Sequence, residues 1–174
     1  SIMDLGSPDL PKLSTSIIVP DDMKMEVAIT NVEYEDYLNV YIAPSKGNLT
    51  RDVDPSSVPF TYNDNYKKND FYPGPLAKLD SPYILRDLRG QTVLFYPVQY
   101  NPVTKTLRVY STITIDVKSN NNSMTKNTLS RSSSTVSSNN EFMHVYEVFR
   151  RVAEVIYCSF ARVKMQPCFS WHIT

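Results

Sequence analysis

The chain has 174 residues, with 18 Lys+Arg against 18 Asp+Glu, 12 Pro and 12 Tyr, but only 4 Gly, 2 Cys and 2 His. That length suits one domain with a real core, and zero net charge argues against nucleic-acid or membrane-surface binding. The glycines, Gly6, Gly47, Gly74 and Gly90, are too scattered to cradle a phosphate, which excludes dinucleotide and P-loop nucleotide sites.

Metal and thiol chemistry has little to draw on. A structural zinc site needs four ligands, and the candidates are His144, Cys158, Cys168 and His172, without the paired Cys-x-x-Cys spacing of a zinc motif. A Cys–His nucleophilic dyad would draw on the same four; cysteines buried as small hydrophobes are the plainer reading. No metal site and no cofactor are therefore expected. Two cysteines make no disulfide framework, which leaves the redox compartment open. No apolar run reaches the length of about 20 residues that a membrane span needs. The first residue is Ser1, with no charged-then-apolar signal segment, as in a processed or trimmed chain.

Residues 1–115 or so read as β. Met23, Met25, Val27 and Ile29 alternate with Lys24, Glu26, Ala28 and Thr30, which predicts a half-buried strand from Met23 to Asn31. Leu38, Val40 and Ile42 predict a second strand. Between Pro44 and Pro82 the pattern is broken by six prolines, yet Phe60, Tyr62, Tyr66, Phe71 and Tyr72 bring large apolar area to bury. An ordered excursion packed on a sandwich, with exposed tips, is the reading. A strand over Ser81–Leu88 follows, ending at Gly90. Gln91–Tyr100 and Thr104–Val117 then predict a long hairpin, turned by Asn101-Pro102-Val103-Thr104. In its second arm Leu107, Val109, Ser111, Ile113, Ile115 and Val117 share one face, opposite Arg108, Tyr110, Thr112, Thr114 and Asp116.

Ser119–Asn140 differs in kind: 17 of its 22 residues are Ser, Asn or Thr, a composition that predicts a flexible linker. Asn48-Leu49-Thr50 and Asn121-Asn122-Ser123 match the glycosylation acceptor pattern, which chance supplies readily. After the linker, Ser138 to Glu141 has capping-box spacing. Phe142, Val145, Phe149, Val152, Ile156, Phe160 and Val163 recur at helical steps, so a helix to about Met165 is expected. Arg150, Arg151, Arg162 and Lys164 make it basic, either as a partner- or membrane-surface helix or as one docked on the sandwich with solvated arginines.

The carboxylates Asp21, Asp22, Glu33, Glu35, Asp36, Asp52, Asp54, Asp80 and Asp87 lack calcium-loop spacing and read as solvated loop charges. Arg86-Asp87-Leu88-Arg89 reads as an ion-paired corner. One segment stands out: Ala43 to Asp52 leaves a strand through Pro44 and Gly47 and presents Lys46 and Arg51 in a polar context. Exposed loops of this make are where proteases bind and cut; an ordinary solvated arginine is the plainer reading.

Ile42-Ala43-Pro44-Ser45-Lys46-Gly47, Tyr83-Ile84-Leu85-Arg86-Asp87-Leu88-Arg89-Gly90 and Gln99-Tyr100-Asn101-Pro102-Val103-Thr104-Lys105-Thr106-Leu107-Arg108 closely resemble the N-terminal prodomain of the gingipains, secreted bacterial cysteine peptidases. Gly6 to Pro11 and Phe71 to Gly74 fit the same pattern. The resemblance runs from about Gly6 to Val117 and returns briefly at Glu141–Phe149. It implies an antiparallel, jelly-roll-like β-sandwich, non-catalytic on its own, that assists folding of a gingipain-type peptidase domain and keeps it latent. It further implies that a loop arginine blocks the specificity pocket. The matching position is Arg51, within Lys46, Gly47, Asn48, Leu49, Thr50 and Arg51, with Lys46 as the anchor for a lysine-specific partner. A secreted or periplasmic location is implied as well.

Three segments result: a sandwich over 1–118, a linker over 119–140 and a helical tail over 141–174. The tail is unlike the family beyond about Arg150, as a shifted reading frame or an early gene end would leave it. The rival reading is a stand-alone β-sandwich binding module whose tail helix recognises a partner or a membrane.

Overall fold

The structure, a computed structural model, describes residues 1–86, 88–120 and 125–130, and the backbone of 161–165. Its strands are β1 (Leu13–Ile18), β2 (Lys24–Tyr37), β3 (Ala77–Leu79), β4 (Tyr83–Leu85), β5 (Leu88–Phe95), β6 (Val98–Asn101), β7 (Thr106–Asn120) and β8 (Ala161–Met165). They form two antiparallel sheets, each built on one central strand. In the first, β5 carries β1 along one edge, and β3 and β4 end to end along the other. In the second, β7 carries β2 along one edge, and β6 and β8 along the other. The antiparallel β-sandwich that the resemblance implies, in agreement with the alternating pattern, is thus the architecture.

The core lies between the sheets. Ile17, Val93 and Phe95 come from the first, and Tyr110, Ile113, Ile115 and Val117 from the second, with Val19 closing one end. Met25, Val27 and Val32 of β2 and Leu76, Ala77 and Leu79 pack around this cluster. Val93, Phe95 and Ile115 are fully buried, each at 0% exposure.

Two β-bulges alter the faces that alternation predicts. Between Ile29↔Ile115 and Asn31↔Thr114 the strand β2 holds one extra residue, so the inward position passes from odd to even numbers and Val32 packs inward opposite Ile113. Between Glu33↔Thr112 and Tyr34↔Tyr110 the extra residue is on β7. It is Ser111, which is exposed, and beyond it Tyr110 rather than Val109 enters the core. The single inward face predicted for Leu107 to Val117 therefore holds only from Ile113 onward.

Four further expectations are corrected. Leu38–Ile42 is not a strand: Asn39 has φ 59°, which ends β2, and Leu38 is 70% exposed. Gly90 lies inside β5 rather than at a strand end, because Leu85 and Leu88 close a tight hairpin earlier. The long arm Gln91–Tyr100 is two strands in different sheets. Proline cannot continue a ladder, and at Tyr96-Pro97 the chain crosses from β5 to β6, with the Pro97 carbonyl accepting the Tyr110 N–H at 2.8 Å. Lastly, Ala161–Met165 is a strand, antiparallel to Ile113–Val117, where helix was expected. It fills the edge of β7 that β6 leaves open, an edge whose unpaired N–H and C=O groups favour strand addition. The rest of the expected helix, residues 141–160, lies outside the described residues, as does most of the linker; Ser119 and Asn120 belong to β7.

The Asn101–Thr104 turn forms as expected. The Asn101 side chain accepts from the N–H groups of Val103 (3.0 Å) and Thr104 (3.2 Å), and Lys105 completes it with φ 53°. The proline-rich excursion is ordered on the sandwich. Gln99 of β6 donates to the carbonyls of Pro73 (2.7 Å) and Gly74 (3.0 Å) and accepts from the Tyr110 hydroxyl (2.7 Å). Tyr72 exchanges backbone hydrogen bonds with Tyr100, and Phe60 and Tyr62 are its exposed tips.

Candidate functional site

The segment singled out in the sequence is a loop with a fastened base. Ser45 N–H donates to the Ser7 carbonyl (2.8 Å), Gly6 N–H to the Ser45 carbonyl (2.9 Å) and Asp9 N–H to the Ala43 carbonyl (3.1 Å). The returning side of the loop is held by the same N-terminal residues: Asn63 N–H donates to the Gly6 carbonyl (3.0 Å), and the Asn63 and Asn65 amides reach the Ser7 hydroxyl at 2.7 and 2.9 Å. Ser7, fully buried, is the hub. Tyr66 adds a hydrogen bond to the Ile42 carbonyl at 2.8 Å; burial pushes its phenol well above the ordinary tyrosine range.

From this base the chain turns at Gly47, whose φ of 77° is open to glycine and strained for other residues. The Gly47 N–H is held by the Ser45 hydroxyl at 3.1 Å. Lys46, half-buried, folds back across the loop. Its ammonium donates to the Pro55 carbonyl at 2.6 Å and stands 4.4 Å over the Phe60 ring, tying the outgoing limb to the returning one. On the returning limb Asp54 caps the 3₁₀ turn Pro55–Ser57 by accepting from Ser56 N–H (2.9 Å) and the Ser56 hydroxyl (2.6 Å). These bonds, the side-chain one foremost, lower the Asp54 pKa.

At the tip, Val53 N–H donates to the Thr50 carbonyl at 3.1 Å, closing a turn with Arg51 and Asp52 at its corners. The Thr50 side chain bonds Asp52 and is the main cause of its lowered pKa. Asn48, Thr50 and Arg51 are exposed, and Leu49 is half-buried. Among the described residues, no hydrogen bond or ion pair holds the Arg51 guanidinium. Lys46, Gly47, Asn48, Leu49, Thr50 and Arg51 thus form one continuous structure in which Lys46 braces and Arg51 projects.

The remaining chemistry is structural. Asp36 holds Arg108 through two 2.7 Å bonds, and the guanidinium lies 4.1 Å from the Tyr34 ring centre and 4.3 Å from that of Phe71. Arg89 is no ion-paired corner: it is 1% exposed, and its partners are backbone carbonyls and a hydroxyl. Among the described residues no three His, Cys, Asp or Glu side chains come together, and no helix is long and apolar enough to cross a membrane. His144, Cys158, Cys168 and His172 lie outside the described residues.

Sequence reasoning missed the brace and the hub. Asp54-Pro55-Ser56 carried a cap signal, with Pro at the first turn position. Ser7 and Phe60 carried none, because their partners are far off in sequence.

The fold has counterparts among known proteins. The profile of the family Propeptide_C25 matches residues 1–152. Gingipain R1 of Porphyromonas gingivalis is 49% identical over 117 residues, covering 67% of this chain and 12% of that protein. Gingipain R2 of the same species is 44% identical over the same length, covering 16% of that protein. The chain therefore spans about an eighth of the length of gingipain R1. Among solved structures, the complex of Porphyromonas gingivalis RgpB pro- and mature domains superposes with a TM-score of 0.77 at 39% identity, over 86% of this chain and 74% of that one. A structure addressing zymogenic latency of gingipain K superposes with a TM-score of 0.56 at 26% identity, over 67% and 68%. The chain belongs to the Propeptide_C25 family, as a non-catalytic prodomain of the gingipain type.

Proposed function

We propose that this chain holds a gingipain-type cysteine peptidase domain latent and assists its folding, the Arg51 turn occupying the peptidase's specificity pocket. The observation that carries the reading is the contrast within one loop. Its base and limbs are fixed by hydrogen bonds to Ser7, Gly6, Ser45 and Pro55, while the one guanidinium at its tip is unpartnered among the described residues. A preorganised loop loses little conformational entropy on binding, so more of the contact energy appears as affinity. An acidic pocket would take the guanidinium through charge-assisted, bidentate hydrogen bonds. Lys46 is already engaged by Pro55 and Phe60, which favours Arg51 as the anchor and an arginine-specific partner. The two solved relatives, a pro- and mature-domain complex and a latent zymogen, support a peptidase partner, and their family supports a secreted or periplasmic route.

The test is titration of the purified chain into an arginine-specific peptidase of this type. Wild type should inhibit, and Arg51→Ala should raise the inhibition constant by about 30-fold or more, as loss of an interface anchor does. An unchanged constant for Arg51→Ala would discard the loop mechanism. Folding assistance is read separately, from the yield of active peptidase refolded with and without this chain.

A further inference from the structure

Arg89 is a saturated group in a place where the loop mechanism has no use for it. Its Nε donates to the Asn127 carbonyl (2.8 Å), Nη1 to the carbonyls of Pro20 (2.5 Å) and Met23 (2.9 Å), and Nη2 to the Thr125 hydroxyl (2.6 Å) and the Lys126 carbonyl (3.1 Å). A guanidinium has five N–H donors, and here all are spent. Three go to the short segment Thr125–Asn127, which follows β7 and lies 36 to 38 residues from Arg89 along the chain. That segment is fixed further by the Asn127 amide on the Pro82 carbonyl (2.6 Å) and by Leu129 N–H on the Asp21 carbonyl (3.0 Å). Asn127 itself has φ 51°.

These contacts bear on one bond. Lys126 is exposed and sits in a stretch of serine, asparagine and threonine, the composition peptidases cut most readily. Cleavage requires the chain to lie extended in a cleft with the scissile carbonyl free to be polarised. Here that carbonyl is committed to Arg89, the residue after it is left-handed, and the next carbonyl is committed too. We propose that Arg89 is a latch that makes the Lys126–Asn127 bond resistant to a basic-specific peptidase while the lysine side chain stands in solvent. A peptidase that accepts lysine thereby spares this bond, and its cutting is directed to basic residues outside the strap. The proposal stands on the strap's geometry and does not depend on the Arg51 mechanism.

The experiment is limited digestion of the full chain with a lysine-specific endopeptidase, products identified by mass. A synthetic peptide spanning Asn121–Arg131 serves as the unlatched reference. Cleavage after Lys126 should be at least tenfold slower in the protein than in the peptide. Arg89→Lys keeps the charge but loses the fork, and should restore cleavage there. Asn127→Ala removes the bond to Pro82 and disfavours the left-handed residue at an exposed position, so it tests the strap even if Arg89→Lys does not fold. It should speed cutting after Lys126 while Lys24 and Lys118, in β2 and β7, stay uncut. Wild-type protein cut as fast as the peptide, or Asn127→Ala cut no faster than wild type, would overturn the latch.

Discussion

The ring of Tyr83 packs directly against Gly90, so close that a Cβ at position 90 would stand 2.6 Å from Tyr83 Cζ and 2.7 Å from Cε2. The two residues are direct partners across β4 and β5. Gly90→Ala must therefore displace the ring, and overpacking of this kind costs about 1–3 kcal/mol. Tyr83→Ala should remove most of that penalty, because nothing else near Gly90 approaches as closely. A double-mutant cycle by chemical denaturation checks it. The coupling should be at least about 0.5 kcal/mol, in the sense that the double variant is more stable than the sum of singles predicts.

Gln99 links the excursion to the core. Gln99→Leu keeps the approximate volume but strands the proton of the Tyr110 hydroxyl and removes the amide that the carbonyls of Pro73 and Gly74 accept from. Leaving buried polar groups unpaired costs about 1–3 kcal/mol each, so a loss of about 2–5 kcal/mol is expected. Tyr110→Phe in the Gln99→Leu background should recover part of it, measured as a shift in the denaturation midpoint.

How far the sequence revealed this molecule depends on distance along the chain. The alternation from Ile113 to Val117 and the Asn101 turn are set by neighbours a few residues apart, and both were readable. The bulges at Thr30 and Ser111 were not, because each is a mismatch between two strands about 80 residues apart and neither strand alone records it. Arg89 reads as part of an ion-paired corner because arginines are rarely buried, yet five acceptors from two segments converge on it. The tail showed helical spacing, but at Ala161–Met165 an open edge of β7 outweighs that local preference. In the candidate loop Arg51 and Gly47 could be named from the sequence, whereas the Lys46–Phe60 brace could not.

The Asp36–Arg108 pair makes a pH prediction. The Arg108 hydrogen bond, opposed by a smaller burial effect, lowers the Asp36 pKa below its ordinary value. A carboxyl depressed in the folded state contributes stability above its unfolded pKa of about 3.9 and loses it as pH falls through the lower folded value. Both partners are part-exposed, so solvent screening keeps the effect small. Asp36→Asn should flatten the stability profile only below about pH 4 and leave its shape at neutral pH unchanged. Thermal melts from about pH 2.5 to 7, spanning the carboxylate range, compare the two; a variant that parallels wild type throughout the acid range would show the pair to be energetically silent.

Gly47 separates loop order from loop chemistry. A Cβ there would rest at an ordinary 3.6 Å from Leu5, so Gly47→Ala meets no clash and acts through its φ of 77° alone. Holding alanine in the left-handed region costs about 1–2 kcal/mol. Asparagine tolerates that region better, so Gly47→Asn should cost less than Gly47→Ala. Under the proposed mechanism the strain falls on the limb that carries Arg51. Inhibition by Gly47→Ala should then weaken more than by Gly47→Asn, while the Arg51 side chain itself is untouched in both. If the alanine variant inhibits as well as wild type although its melting temperature falls, the loop's preorganisation contributes nothing to binding.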